Sequence, residues 1–526
     1  MQLSIFSQAE WTFPDTPLGE QTTGELELPR GGHGGFQLLG GRLSAGTVVT
    51  AQVVWEKPSE QTPAPTAELF ELLSVGVNEN TDSTLMTTTD YSRCRDFVTR
   101  QAPFRVYDAL RPLDGAAVRG ERLALYCRLT APPELPAGSY RGVLRVTAGA
   151  ETAVVALRCG VHQAVVPPVG KGRLGMVNFC YYENIAKQHG VAGDSPAYWE
   201  LFRRYVAIQL ELRCTHIVLP AGEPVRDSAG AIVGFDFTRA EHAGKIAIEA
   251  GAPCLCGPSV AHWQGGGDET VYYLQWEKTT STLSLQGYLQ LKLYFTAWAQ
   301  VVERNGWQQR IAQSLADEPQ VYNDTTYRAL AAVLRKFLPY ALILEAVETV
   351  NLGGGIDVWV PKQDTFEKER KAYTQLMEAG ETMWFYTCAF PAGKIMNRSM
   401  DLPLTACRAV LWMGFGYGLS GFLHWGLNYY IGDDLWNSAC CPHKGKLLPA
   451  GDAHLVYPDG KQVLPSMRLE QQRNGAEDYE LLTQLAERDP QLATALQRQV
   501  CTSFRDYLTD GRQFEAVHAA LLAALD

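Results

Sequence analysis

Apolar positions along the chain change their period near residue 165. Before it, short runs rich in Val, Leu and Tyr are separated by Gly and Pro, a pattern typical of antiparallel strands joined by turns. We therefore expect residues 1–165 to form a β-sandwich domain. The Pro- and Gly-containing segment 165–170 is the predicted linker. The runs with the clearest strand pattern lie at residues 47–55, 123–129, 142–146 and 152–157.

After residue 170, apolar strand-like runs alternate with stretches of helical spacing. Eight such strands with intervening helices predict an α/β fold, a TIM-like (β/α)8 barrel over residues 171–466. The connection 348–355 is too short for a full helix, and residues 467–526 are expected to be helices packed on the barrel. The predicted strands are 174–179, 215–220, 252–256, 310–316, 341–347, 356–360, 382–387 and 421–425. The predicted helices lie near 196–212, 238–250, 289–305, 324–338, 364–379 and 404–414.

Composition narrows the class of protein. The chain has 526 residues, 46% of them hydrophobic, enough for more than one buried core. The net charge of -11 and the pI of about 5.5 argue against nucleic acid or an anionic membrane as partner. The N-terminal segment has no basic n-region and no long apolar h-region, and no apolar run is long enough to span a bilayer. We therefore expect a cytoplasmic protein.

Twelve cysteines are scattered through apolar contexts. Without a secretory signal we expect reduced core thiols rather than disulfides. Cys254 and Cys256 form a Cys-x-Cys, and Cys440 and Cys441 are adjacent, but neither pair has the spacing of a zinc site. We expect no metal and no other cofactor.

The candidate chemistry lies at the predicted strand ends, where barrels of this kind carry their working residues. The adjacent carboxyls of Asp317 and Glu318 end the fourth strand, and Pro319 favours that ending because it cannot donate a ladder hydrogen bond. Aromatic and amide side chains end the other strands, and such a set suits sugar rings and their hydroxyls. Core packing is the alternative for each aromatic taken alone. The set comprises Asn178, Tyr181, Tyr182, His262, Trp263, Asp357, Trp359, Trp384, Tyr386, His424, Trp425, Asn428 and Tyr429, with Tyr272, Tyr273 and Trp276 in an insertion at 257–285.

Adjacency of Asp317 and Glu318 limits the mechanism. Like charges this close raise the cost of ionising both, so one carboxyl tends to stay protonated beside a charged one. A two-carboxylate glycosidase places its acid and nucleophile across the scissile bond, which neighbouring residues do not readily do. The pair instead suits substrate-assisted hydrolysis, in which the 2-acetamido group of the sugar attacks its own anomeric carbon. One carboxylate then orients that group, and the other acts as general acid and base.

Six segments resemble glycoside hydrolase family 123 in type and order across about residues 170–485. The resemblance implies an exo-acting, retaining β-N-acetylgalactosaminidase that acts on an oligosaccharide or glycoconjugate. It implies that Asp317 positions the 2-acetamido group and that Glu318 is the acid/base. Tyr386 and Trp425 would line the sugar pocket, with Asn178, Trp359 and Asp357 as weaker correspondences; His262 and Asn428 are added by their positions after strands. The segments are 316–319, 356–361, 383–388, 421–426, 456–459 and 466–479.

The last segment carries Arg468, Glu470, Arg473, Glu477 and Asp478, which look like a charged helix-capping network. Two other functions stay open at this point. The first is a barrel hydrolase for N-acetylglucosamine or a non-acetylated sugar. The second is an inactive glycan-binding protein, against which the presence of both Asp317 and Glu318 argues. The oligomeric state is also open.

Overall fold

The computed structural model describes residues 1–57, 59, 61–263 and 268–526, so part of the predicted insertion at 257–285 lies outside the described residues. The chain divides into two compact units. The first unit comprises Met1–Arg173, Cys388–Tyr417 and Gly426–Asp526, and the second comprises Leu174–Thr387 and Gly418–Trp425. These units are drawn differently from the predicted domains 1–165, 171–466 and 467–526, which stay predictions.

The N-terminal part of the first unit consists of two β-sheets that share an apolar core. Five strands pair in the order β1-β3-β9-β5-β8 and four in the order β2-β11-β10-β4, with only β2 and β11 parallel. Leu38 and Leu125 from one sheet join Leu144 and Leu157 from the other in the core. The four strands predicted from the apolar runs are confirmed. The strands are β1 (Ser4–Ser7), β2 (Thr23–Arg30), β3 (Gly32–Arg42), β4 (Val49–Trp55), β5 (Thr66–Val77), β6 (Asn80–Thr81), β7 (Thr87–Thr88), β8 (Phe104–Pro112), β9 (Arg122–Ala131), β10 (Gly138–Ala148) and β11 (Glu151–Val165).

The second unit alternates strands and helices, and all eight predicted strands are present. The strands are β12 (Gly175–Asn178), β13 (His216–Val218), β14 (Glu223–Arg226), β15 (Ile232–Asp236), β16 (Cys254–Gly257), β17 (Ala261–His262), β18 (Tyr273–Leu274), β19 (Glu277–Ser281), β20 (Ile311–Gln313), β21 (Leu342–Val347), β22 (Val358–Pro361), β23 (Thr382–Met383), β24 (Phe385–Thr387) and β25 (Gly421–His424). The helices are α1 (Tyr182–His189), α2 (Pro196–Glu211), α3 (Thr238–Glu249), α4 (Leu285–Arg304), α5 (Asp324–Phe337), α6 (Gln363–Lys368) and α7 (Arg370–Glu378).

The parallel strands of this unit form two sheets, β13-β16-β20-β21-β22-β23 and β12-β25-β24. A few backbone contacts link them at either side: Thr215 N donates to Met176 O at 2.9 Å, Trp384 N donates to Trp359 O at 2.8 Å, and Lys362 forms an isolated parallel bridge with Tyr386. No continuous ladder closes the two sheets among the described residues, so the predicted closed barrel is not confirmed. The α/β alternation itself is confirmed.

Helix positions in the second unit follow the sequence pattern closely. Pro196 opens α2, and the Ser195 side chain caps it by accepting from Tyr198 N. The buried face of α5 shows the expected spacing of i, i+3, i+4 and i+7 from Tyr327 to Leu334. The helix predicted near 364–379 is divided at Glu369 into α6 and α7. As expected, the connection after β21 contains no helix in the part of it that the structure describes, 348–357.

The C-terminal part of the first unit is built around α9, a helix buried along most of its length. This burial is possible because its charged side chains pair with partners on β8, β9 and α8. Ser466 is the residue that caps the helix, through Leu469 N at 3.1 Å, so the predicted helix-capping role of the charged residues is wrong. The elements are α8 (Ala406–Gly416), β26 (Pro442–His443), β27 (Lys446–Leu447), β28 (Tyr457–Asp459), β29 (Gln462–Leu464), α9 (Met467–Arg488), α10 (Pro490–Val500), β30 (Cys501–Ser503), β31 (Asp506–Tyr507) and α11 (Gly511–Leu525).

The lateral ion pairs of α9 are close. Arg468 pairs with Asp108 at 2.9 Å, Glu470 with Arg128 at 2.5 Å, and Asp478 with Arg408 at 2.5 Å. None of the twelve cysteines forms a disulfide, and ten of them are buried. Among the residues with a described position, no helix is long and apolar enough to cross a membrane.

Candidate active site

The Asp317–Glu318 pair lies in an irregular segment beyond the end of β20. The regular strand stops at Gln313, and Ala316 makes an isolated parallel bridge with Ala261. Trp263 Nε1 donates to the backbone oxygen of Asp317 at 3.0 Å. Glu318 has φ of 48°, a left-handed conformation that is uncommon for a residue with a side chain. Because regular strand alternation has ended, neighbouring side chains are not forced to opposite faces.

A buried carboxyl on β21 fixes the backbone that leads to this pair. Glu345 is 3% exposed. Its Oε2 accepts from the backbone N–H of Leu315 at 2.6 Å and of Ala316 at 2.9 Å, and Tyr327 Oη donates to the same oxygen at 3.2 Å. Ser314 Oγ lies 2.7 Å from Oε1. Burial raises the pKa of Glu345 to about 8, although the hydrogen bonds from Ser314, Leu315 and Ala316 partly oppose the rise.

The Glu318 carboxyl meets a second group of polar side chains. Tyr386 Oη is hydrogen-bonded to Glu318 Oε1 and lies 3.0 Å from Glu348 Oε1. Lys362 Nζ lies 2.5 Å from the same Glu348 oxygen, and Thr365 Oγ1 donates to Glu348 Oε2. Lys362 and Tyr386 also form a parallel backbone bridge. Side chains from β24, α6 and the segments after β21 and β22 therefore join Glu318 in one hydrogen-bonded group.

Asp317 lies within the same electrostatic environment. Loss of hydration, followed by the negative charges of Glu318 and Glu348, raises the pKa of Asp317 to about 7. The residue as a whole is exposed, so water screens part of this effect. The three carboxyls are accompanied by the single cation Lys362 in the contacts described above.

Aromatic side chains follow the strands that neighbour this carboxyl group. On one side, Trp263 packs edge-to-face on Tyr322 with ring centroids 5.7 Å apart. On the other, β24 pairs with β25 so that Thr387 is opposite His424, and Trp425 follows directly. Trp425 is half-buried and packs edge-to-face on Tyr181 at 6.5 Å. Aromatic faces at a polar edge are suited to the apolar C–H face of a sugar.

The structure separates Asp357 and Trp359 from this group. Asp357 precedes β22 and so lies at the opening end of the strand, where its Oδ2 accepts from Arg335 at 2.6 Å and from Ile343 N at 2.7 Å. Trp359 is fully buried, and its Nε1 donates to Glu381 at 3.0 Å, just before β23 begins. Both residues have structural partners away from the carboxyl ends of the strands, so we do not place them in the sugar-binding group, and their predicted role remains untested.

Three other predicted residues stay predictions. Asn178 ends β12 and is fully buried, and its amide lies 3.5 Å from Cys214 Sγ. His262 precedes Trp263, and its ring lies 6.1 Å from that of Tyr273. Asn428 belongs to the first unit, where it is buried and forms an isolated bridge with His454.

Sequence reasoning missed Glu345, Glu348 and Lys362. The signal was available for two of them. Glu348 follows the end of β21, and Lys362 follows the end of β22, so the rule that identified Asp317 also applies to them. Glu345 lies inside a buried strand, where only its contacts reveal its role. Within the described ranges, no group of three or more His, Cys, Asp or Glu side chains could hold a metal ion.

Comparison with known proteins identifies the class. The family described as "Glycoside hydrolase 123, catalytic domain" matches residues 259–485, a segment that includes Asp317, Glu318, Tyr386 and Trp425. A search of curated proteins by sequence gives no match. Among solved structures, a family 123 glycoside hydrolase from Clostridium perfringens, studied for glycolipid glycan hydrolysis, superposes with a TM-score of 0.70 at 11% identity. The alignment covers 100% of this chain and 96% of that chain. At this identity the likeness concerns the fold.

A second solved structure is far less similar. A GH10 xylanase with a bacterial Ig-like domain, from termite gut, gives a TM-score of 0.37 at 11% identity, over 87% of this chain and 100% of that one. At this TM-score the likeness carries no argument.

Proposed function

We propose that this chain is an exo-acting, retaining β-N-acetylgalactosaminidase of glycoside hydrolase family 123, the family whose catalytic-domain model matches residues 259–485. Its substrate would be a terminal β-linked N-acetylgalactosamine on an oligosaccharide or glycoconjugate. The observation that carries the proposal is the meeting of Asp317 and Glu318 beyond the end of β20, with Glu318 in a left-handed conformation and bonded to Tyr386. Adjacent carboxyls suit a mechanism in which the substrate supplies its own nucleophile.

In the first step, the carbonyl oxygen of the 2-acetamido group bonds to the anomeric carbon while the bond to the leaving oxygen breaks. Glu318 gives its proton to that oxygen. Asp317 accepts a hydrogen bond from the acetamide N–H and stabilises the positive charge of the cyclic oxazolinium. The site therefore needs one carboxyl protonated and its neighbour charged. The raised pKa of Asp317 reflects the cost of ionising both neighbours, and the mechanism requires that the proton of the pair lie on Glu318 when the substrate is bound.

In the second step, water attacks the anomeric carbon and gives its proton to Glu318. The bond between the acetamide oxygen and the anomeric carbon breaks, the acetamide is restored, and the two inversions retain the anomeric configuration. Trp425 would carry the apolar face of the sugar, with Asn178 and His262 as further contacts. We also interpret the two parallel sheets of the second unit as parts of one (β/α)8 barrel, and the two N-terminal sheets as a sandwich.

The test uses a panel of chromogenic β-glycosides and the full chain. We expect hydrolysis of the N-acetylgalactosaminide with retention, and competitive inhibition by the thiazoline analogue of N-acetylgalactosamine. Asp317→Asn and Glu318→Gln should each lower kcat/KM by about 10²- to 10⁴-fold. Asp357→Asn, which removes a carboxyl in contact with Arg335 outside the group, serves as the control and should leave kcat/KM within about threefold.

Different failures identify different alternatives. Hydrolysis of N-acetylglucosaminides with the same inhibition would keep the mechanism and change the sugar. Turnover of a sugar without an acetamide, or turnover that the thiazoline does not inhibit, would exclude substrate assistance. A Glu318→Gln variant as active as the parent would overturn the assignment of the acid/base.

A further inference from the structure

The Tyr386 hydroxyl lies between two carboxyls but has one proton to donate. It is hydrogen-bonded to Glu318 Oε1 and stands 3.0 Å from Glu348 Oε1. Tyr386 is 3% exposed, so little water can reach it to compete for these contacts. If both carboxyls were charged, the Tyr386 hydroxyl could donate to only one of them. The other carboxylate oxygen would then face the Tyr386 oxygen with no proton between them, which is unfavourable in a buried site. The arrangement is therefore complete only when one of the two carboxyls also carries a proton.

Glu348 is the carboxyl better suited to remain charged. The Lys362 ammonium lies 2.5 Å from its Oε1, and Thr365 Oγ1 donates to its Oε2. Lys362 and Glu348 are both mostly buried, with side chains 16% and 13% exposed, so their attraction is weakly screened. Glu318 has no such cation among the contacts described for it. Of the two carboxyls that contact Tyr386, Glu318 is therefore the one better placed to carry a proton.

We propose that Glu348 is a positioning residue that gives the Tyr386 hydroxyl an alternate acceptor, so that one hydroxyl serves both protonation states of Glu318. This inference rests on the proposed role of Glu318 as acid/base. Before the first step, protonated Glu318 donates to the Tyr386 oxygen, and the Tyr386 O–H donates to charged Glu348. After Glu318 has given its proton to the leaving oxygen, the Tyr386 O–H turns to the Glu318 carboxylate. No proton leaves Tyr386 in either state, and the hydroxyl rotates about its C–O bond.

Other titratable groups act on the same site. Asp317 faces Glu318 and Glu348 from the segment after β20, and Glu345 faces Asp317 from β21. Tyr272, which precedes β18, lies within reach of the Asp317 charge, and Tyr373 of α7 within reach of Glu348. Asp364 of α6 lies 3.9 Å from Lys362 but forms no contact with Tyr386 in the described contacts. His262 ends β17 and contacts Tyr273. None of these groups offers Tyr386 a second acceptor among the described contacts.

The Glu348→Gln variant tests the proposal through the leaving group. The glutamine amide can donate to the Tyr386 oxygen, which fixes the hydroxyl on Glu318 and disfavours the protonated acid. Phenyl glycosides need protonation of a poor leaving group, whereas dinitrophenyl glycosides need almost none. We expect kcat/KM to fall about tenfold or more for the phenyl glycoside, because the loss of one charge-assisted hydrogen bond has an effect of this size. For the dinitrophenyl glycoside we expect kcat/KM to fall less than about threefold. The basic limb of the phenyl pH profile should move to lower pH.

Asp364→Asn is the matched control, because it removes a carboxylate near the same lysine without touching Tyr386. This variant should leave the ratio of kcat/KM for the phenyl glycoside to kcat/KM for the dinitrophenyl glycoside unchanged. The second variant is Tyr386→Phe, in which Glu348→Gln should have no further effect on that ratio. Equal losses on both substrates, or the same Glu348→Gln effect with and without the Tyr386 hydroxyl, would overturn the proposal.

The substrates carry whichever sugar the parent chain hydrolyses. A parent that ignores N-acetylgalactosaminides therefore refutes the proposed specificity and still allows the Glu348 test. A parent active on them with an unchanged leaving-group ratio in Glu348→Gln refutes the Glu348 inference alone.

Discussion

Glu345 offers the sharpest test of how the site is built. It is buried on β21, and its carboxyl holds the two backbone N–H groups that precede Asp317. Its pKa of about 8 implies that the native protein keeps this carboxyl protonated at neutral pH. A protonated Oε1 can donate to Ser314 Oγ, which itself lies 2.6 Å from Ser259 Oγ, while Oε2 accepts the backbone bonds. Glutamine reproduces this arrangement, with its NH2 in place of the O–H.

The size of the contribution of Glu345 to the free energy of unfolding follows from its pKa. A pKa of about 8 in place of the ordinary 4.5 corresponds to at most about 5 kcal/mol of linkage. Between these pH values the native protein holds a proton that the unfolded chain has released. The free energy of unfolding contributed by Glu345 is therefore fully present below the unfolded pKa and is lost as pH rises through the native pKa. Glu345→Gln does not titrate and lacks this dependence.

The assay is urea unfolding of the parent and Glu345→Gln at about pH 5 and about pH 8. The stability of the parent minus that of the variant should fall as pH rises, since all other groups cancel in the difference. Glu345→Ala leaves the Leu315 and Ala316 N–H groups without their acceptor and should cost about 2 to 6 kcal/mol. Glu381→Gln controls for removal of a carboxyl in the same unit. A difference that stays constant, or that rises with pH, would mean that Glu345 is charged in the native state and would refute the reasoning.

Two further comparisons separate structural from substrate-binding roles. Asp478→Asn should destabilise the protein by about 3 to 5 kcal/mol because it leaves the Arg408 guanidinium buried without its charge partner. Glu25→Gln breaks an exposed ion pair and should cost less than about 1 kcal/mol. Chemical unfolding measures both costs, and equal costs would contradict a structural role for the buried pair. Trp425→Ala should raise KM about tenfold. Trp359→Phe should lower stability by about 1 kcal/mol, through loss of the bond to Glu381, without changing KM. Steady-state kinetics and thermal melting measure these effects, and a change of KM in Trp359→Phe would mean that Trp359 contacts the substrate.

The sequence predicted the elements of the second unit well because buried parallel strands are short, nearly continuous apolar runs. The limits of those strands were harder to predict. The run 310–316 looks like one strand, but regular pairing ends at Gln313, where Glu345 replaces the next strand as partner of the backbone. A local pattern contains no information about such a replacement, because the carboxyl that causes it lies on β21.

Helix α9 shows the same limit over a longer distance. Its sequence is highly polar, which favours a solvent-exposed helix, yet most of it is buried. The reason is that its charges pair far along the chain: Arg468 and Asp108 are 360 residues apart. Hydrophobic periodicity predicts apolar contacts but contains no information about buried ion pairs. The sequence could mark these charged residues as a network, but it could not distinguish capping from lateral pairing.

The strand-end rule depends on chain direction, which the sequence pattern predicts, but it says nothing about the direction of a side chain. It located Asp317, Glu318, Tyr386 and Trp425 at carboxyl ends of strands. It also admitted Trp359, because the rule specifies an end of the strand and not a face. Trp359 meets Glu381, whereas its register partner on β21 is Glu345.

Strand β21 supports the carboxyl pair from both sides. Glu345 lies within the strand and binds the backbone just before Asp317, and Glu348 follows its end and binds Tyr386, which contacts Glu318. Residues three apart in a regular strand point to opposite faces, but β21 ends at Val347, so Glu348 is released from that alternation. Its backbone N–H also donates to Pro319 O at 3.2 Å, directly after the pair. A single strand thus sets the conformation of the segment on either side of Asp317–Glu318, and this explains how two adjacent carboxyls can be held in one polar group.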